Sequence, residues 1–87
     1  MSEQSNPVRW CLDVSFVYDS DVDAHEDAVV STVGRIYGDS GAGFGQRDLG
    51  FWFDNQADAQ AAEARVKAQC SFVHSTHIWN TATEEDE

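Results

Sequence analysis

Arg9-Trp10-Cys11-Leu12-Asp13-Val14-Ser15-Phe16-Val17-Tyr18 is the stretch on which the fold turns. Trp10, Leu12, Val14, Phe16 and Tyr18 share one parity and are large and apolar, whereas Arg9, Cys11, Asp13, Ser15 and Val17 share the other. A period of two over this length predicts a strand with one buried and one wetter face. Parallel strands are covered on both faces and read as continuous apolar runs. Asp13 and Ser15 interrupt such a run, so the strand belongs to an antiparallel sheet with an open face.

Working outward, the acids of Asp19-Ser20-Asp21-Val22-Asp23 precede a helix. Asp23 reads as its N-cap, with Glu26 completing a capping box. Val29, Thr32, Val33 and Ile36 form its inward stripe, Tyr37 lies beside it, and Gly38 is the stop. Residues 39–46 are turn-rich, with a short edge strand expected at 42–46 and a turn at Arg47-Asp48. Leu49, Phe51 and Phe53 then share the buried face of a second long strand. Asn55 reads as the cap of a helix over 56–69, with Asp58 at its third position. Ala59, Ala62 and Val66 make that helix a close-packing one. Residues 72–80 are mixed on both parities, as an edge strand is.

These elements predict an α+β domain on the ferredoxin-like βαββαβ plan, with two helices on one face of an antiparallel sheet. The 87 residues allow one domain, placed at 8–80, with a flexible arm over 1–7 and a disordered acidic tail over 81–87.

Apolar residues are 41 % of the chain, enough for a core. Sixteen acidic residues against five basic ones give a net charge of −11. Phosphate contacts require clustered Lys and Arg, so direct binding of DNA, RNA or an anionic membrane is excluded. Residues 1–9 lack a signal-peptide core and no stretch is long enough to span a bilayer, which points to a soluble, cytoplasmic protein.

Cys11 and Cys70 are too few for a disulfide framework, and the proposed strand directions put them at opposite ends of the sheet. Asp19, Asp21, Asp23 and Asp27 match positions one, three, five and nine of a calcium loop, but Ala24 and Val30 stand where a glycine and a bidentate glutamate are needed. Gly38, Gly41, Gly43 and Gly45 follow a helix rather than a strand, the reverse of a phosphate loop, and read as a flexible hairpin. His74 and His77 point to opposite faces of a strand and cannot share an ion. No nucleophile–base arrangement is present either. The expectation is therefore a non-enzymatic protein with no cofactor and no metal.

Two features suggest contact with a partner. Trp52 lies opposite Leu49, Phe51 and Phe53, on the open face near Cys11, Ser15 and Val17, joined there by Ile78 or Trp79. Asp19, Asp21, Asp23, Glu26 and Asp27 concentrate negative charge, offset in part by Arg65 and Lys67 from the end of the second helix. Together they suggest an inhibitor that occupies a basic, nucleic-acid-binding surface of another protein, its carboxylates standing where phosphates sit. In size, acidity and lysine scarcity the chain resembles the small acidic phage proteins that block host defence, anti-CRISPR proteins among them. That resemblance implies a DNA-mimicking inhibitor acting in the host cytoplasm. The alternative is a homodimeric ferredoxin-like regulatory module that pairs through its open sheet, its acidity serving solubility or a salty cytoplasm. A weaker third reading is a calcium-responsive module.

Overall fold

The computed structural model of the protein describes residues 9–81. Its elements run β1 (Trp10–Val17), α1 (Val22–Val33), β2 (Asp39–Gly43), β3 (Gln46–Phe53), α2 (Gln56–Gln69) and β4 (Val73–Asn80). The strands form one four-stranded sheet in the order β2-β3-β1-β4, antiparallel throughout. The chain is thus α+β, with two helices and an antiparallel sheet. The arm over 1–7 and the tail over 82–87 lie outside the described residues. Just past the end of β4, the Thr81 N–H donates to the Arg9 carbonyl and its hydroxyl accepts from the Arg9 N–H.

β1 is central because both its edges find a partner. It pairs Trp10 with Phe53 through Val17 with Gln46 on one side, and Trp10 with Asn80 through Phe16 with Val73 on the other. Leu12, Val14 and Phe16 join Leu49, Phe51 and Phe53 in a single core with Val29 and Val33 of α1 and Ala59, Ala62 and Val66 of α2. Both helices therefore cover one face, and the face of Asp13 and Ser15 stays open, as the alternation requires. Tyr18 falls past the end of β1 and is exposed, so the apolar parity stops at Phe16. No helix among the described residues is long and apolar enough to cross a membrane.

α1 departs from expectation at both ends. Its N-cap is Asp21, not Asp23. The Asp19 carboxylate accepts from the Asp21 N–H, and the Asp19 carbonyl accepts from the Val22 N–H, which starts the helix two residues early. Glu26 completes no capping box, because Arg47 and Tyr37 hold its carboxylate. At the other end Gly34, not Gly38, is the stop. It adopts a left-handed conformation (φ 89°) and donates to the Val30 carbonyl, a geometry glycine takes without steric penalty. The helix therefore ends before Ile36, which is 69 % exposed rather than part of the inward stripe.

The β2–β3 hairpin is also displaced from its expected position. β2 covers Asp39–Gly43 and Arg47-Asp48 lies inside β3, so the turn is Phe44-Gly45. Both turn residues have positive φ, 54° and 77°, the twist that matches a two-residue hairpin to its strands. α2 forms as its sequence suggests, with the Asn55 side chain accepting from the Asp58 N–H at 2.8 Å. Its alanines let it sit close to β1, β3 and β4. Arg65 does not face the acidic start of α1. It donates to the Thr32 and Val33 carbonyls at the other end, where a cation complements the helix dipole.

Candidate functional site

The acidic run after β1 divides in two. Glu26 is half-buried and faces inward, with Arg47 Nη2 at 3.0 Å and the Tyr37 hydroxyl donating at 2.8 Å. It is the one member of the predicted set whose charge is matched by a neighbouring guanidinium. Asp19, Asp21, Asp23 and Asp27 are exposed. Asp19 lies 3.9 Å from His25 Nε2, and His25 itself stacks on Phe72 at 4.1 Å. Ligand atoms of Asp19, Asp21 and His25 come within 4.8 Å of one another. The calcium reading needs Asp23 and Asp27 on that same ion, and they stand apart from the group on the helix.

The second acidic surface is the open sheet face, which the register lays out as a grid. One row crosses Trp52, Cys11 and Trp79. The next crosses Asp39, Gly50, Asp13 and His77, and a third crosses Gly41, Asp48, Ser15 and Ser75. Trp52 thus sits on the open face beside Cys11, as predicted, but Val17 lies at the far end of the strand. Trp79, not Ile78, joins it. The two indoles meet edge to face, with ring centroids 5.3 Å apart, a geometry favourable to aromatic quadrupoles.

Trp52 is half-buried rather than bare. Its indole N–H donates to Asp39 at 3.1 Å, and that of Trp79 donates to Asp13 at 2.9 Å. Gly38 lies against the Cδ1–Nε1 edge of the Trp52 ring, where a Cβ would come within 2.5 Å of Cδ1. Arg35 donates to the Trp52 carbonyl. The Arg9 guanidinium lies over the indole, 5.1 Å from the ring centroid, within cation–π range.

Between the indoles Cys11 is only 1 % exposed. Burial, then the charge and hydrogen bond of Asp13, push its thiol up to about 12. A thiol held protonated in this way is a packing group, not a nucleophile. Cys70 is buried in the core on the helix side and is likewise free, its sulfur 3.6 Å from the Thr32 hydroxyl.

The third carboxylate of the face, Asp48, accepts a hydrogen bond from Ser15. Asp13, Asp39 and Asp48 border a shallow cavity of about 220 Å³ with Gly50 in its lining. Their hydrogen-bond donors are two indoles, a hydroxyl and a thiol. Such neutral donors orient a carboxylate without cancelling its charge. Sequence reasoning placed Trp52 here but missed Asp13, Asp39 and Asp48 as a group. The signal was available in part, since Asp13 and Asp48 share the parity opposite the buried residues. Asp39 could be added only once β2 was in register.

No protein-family model, no curated protein and no solved structure matches the chain.

Proposed function

We propose that this chain is a non-enzymatic acidic binding protein that occupies a basic, nucleic-acid-binding surface of a partner protein and thereby inhibits it. The observation that carries this reading is the fate of its five basic residues. Arg9 stacks on Trp52. Arg35 donates to the Trp52 carbonyl and lies over Phe53. Arg47 pairs with Glu26, Arg65 caps α1, and Lys67 pairs with Glu63. Every cation is thus engaged within the chain, while Asp21, Asp23 and Asp27 turn outward. With sixteen acidic residues against five basic ones, the net negative field steers a basic partner and repels nucleic acid. For the architecture we infer the ferredoxin-like plan, supported by the βαββαβ element order and the strand order β2-β3-β1-β4. The proposed setting is the cytoplasm, that of the host if the gene is phage-borne.

The homodimeric alternative places Asp13, Asp39 and Asp48 of one copy against the same three of another. Like charges facing each other across an interface oppose association, so the open face suits a basic partner better than a second copy.

The test begins with capture of partners from nuclease-treated lysate and elution along a salt gradient. A captured nucleic-acid-binding protein should lose its nucleic acid on addition of this chain. Changing Asp19, Asp21, Asp23 and Asp27 together to Asn should slow association by about tenfold or more at low salt. Glu26 is left intact because it holds Arg47. An unchanged association rate, or a partner that keeps its nucleic acid, contradicts the reading.

A further inference from the structure

We propose that the open sheet face is a docking surface for arginine side chains of the partner, with guanidinium groups stacking on the Trp52–Trp79 pair and forking onto Asp13, Asp39 and Asp48. This rests on the reading of the chain as a binder of basic protein surfaces and names where and how it binds.

Charge complementarity comes first. Asp13, Asp39 and Asp48 sit on β1, β2 and β3 around Gly50, held by neutral donors. A carboxylate has about four lone-pair sites, so each retains capacity to accept from a ligand. Among the described residues, the arginine on this face is Arg9, at its rim, and His77 stands beside Asp13 in its row. Spacing comes second. Asp13 and Asp39 flank Gly50 from opposite sides, putting their backbones about 10 Å apart at about 4.8 Å per strand. Among the described residues the group whose ligand atoms converge closely enough for one ion is Asp19, Asp21 and His25, and the acids of the open face, spread over three strands, suit guanidinium forks instead.

The aromatic pair decides the kind of cation. A planar guanidinium stacks on an indole and binds a carboxylate through two parallel hydrogen bonds, whereas an ammonium does neither as well. The molecule already contains one such contact, Arg9 over Trp52. Gly50 deepens the site. A Cβ there would stand 3.1 Å from Asp13 Oδ1 and 3.4 Å from Asp39 Cβ, filling the floor between the two acids.

The experiment is a titration of the full chain, isotopically labelled, with a hexa-arginine peptide and separately with a hexa-lysine peptide at low salt. The indole N–H resonances of Trp52 and Trp79 should move with hexa-arginine, and hexa-lysine should bind several-fold more weakly. The triple change Asp13→Asn, Asp39→Asn and Asp48→Asn keeps a carbonyl acceptor for each indole and should weaken hexa-arginine binding at least tenfold. If the triple variant unfolds, Asp48→Asn alone, at an exposed position, should still weaken binding by a factor of two or more. Binding with shifts confined to residues 19–27 overturns the docking face and leaves the acidic-binder reading standing. Equal affinity for the two peptides overturns guanidinium stacking. Binding of neither peptide overturns both readings.

Discussion

Phe44 is the residue whose surroundings least account for it. It sits in the left-handed region (φ 54°) at the tip of the β2–β3 hairpin, and its side chain is fully exposed. A left-handed conformation costs an L-residue with a bulky side chain about 1–2 kcal/mol, less for asparagine. With Gly45 following, Phe44→Asn creates a favoured two-residue hairpin turn and should raise stability by about 1 kcal/mol. The check is the urea midpoint, with an unchanged slope; a lower midpoint would show that Phe44 stabilises the tip. Glu26 is the opposite case, a half-buried acid with two partners. Its hydrogen bond to Tyr37, and secondarily burial, raises the phenol above its ordinary value of 10.0. The folded chain then holds that proton more tightly than the unfolded chain. This contribution is complete below the unfolded value and is lost as pH rises through the folded one. In Glu26→Gln the tyrosinate absorbance of Tyr37 should develop at lower pH, closer to 10.0. Glu26→Ala should also destabilise the fold by about 1–3 kcal/mol, because Arg47 loses its charged acceptor in a partly buried site.

At the scale of elements, the two helices show which features of a sequence can be read locally. Asn55 and Asp58 are three residues apart, and the cap they form needs nothing else. Asn55→Ala should lower stability by about 1 kcal/mol, measured by thermal or chemical denaturation; no change would mean that packing of Ala59, Ala62 and Val66 alone holds the first turn. The start of α1 offers similar residues but a different outcome. Glu26 fits a capping box with Asp23, yet Arg47 reaches it from β3, across twenty-one positions. A charged partner binds a carboxylate more strongly than a backbone N–H does, so the distant contact displaced the local one. The hairpin shows the same limit. Its glycines and Phe44 permit several turn positions, and pairing of Asp39 with Gly50 through Gly43 with Gln46 selects one.

At the scale of the molecule, the net charge of −11 acts against compactness. Raising salt from about 10 mM to about 300 mM shortens the screening length several-fold and should raise Tm by a few degrees as self-repulsion falls. A Tm that drops instead would mean that the Arg47–Glu26 and Lys67–Glu63 pairs outweigh the repulsion. The same field sets the salt dependence expected of the proposed partner binding, since the start of α1 and the open sheet both carry acids.

The alternation of Arg9–Tyr18, the cap at Asn55 and the alanine stripe of α2 determined the class of fold from sequence alone, because period and capping chemistry act between near neighbours. Composition likewise determined that the surface would be anionic. Tertiary structure alone decided which acids remain available. Arg47 matched the charge of Glu26, while Asp13, Asp39 and Asp48 were gathered from three strands and accept from indole, thiol and hydroxyl donors. Contacts of that kind depend on strand register, and register follows from how all four strands satisfy their hydrogen bonds and bury one face together. No single stretch of the chain contains that information.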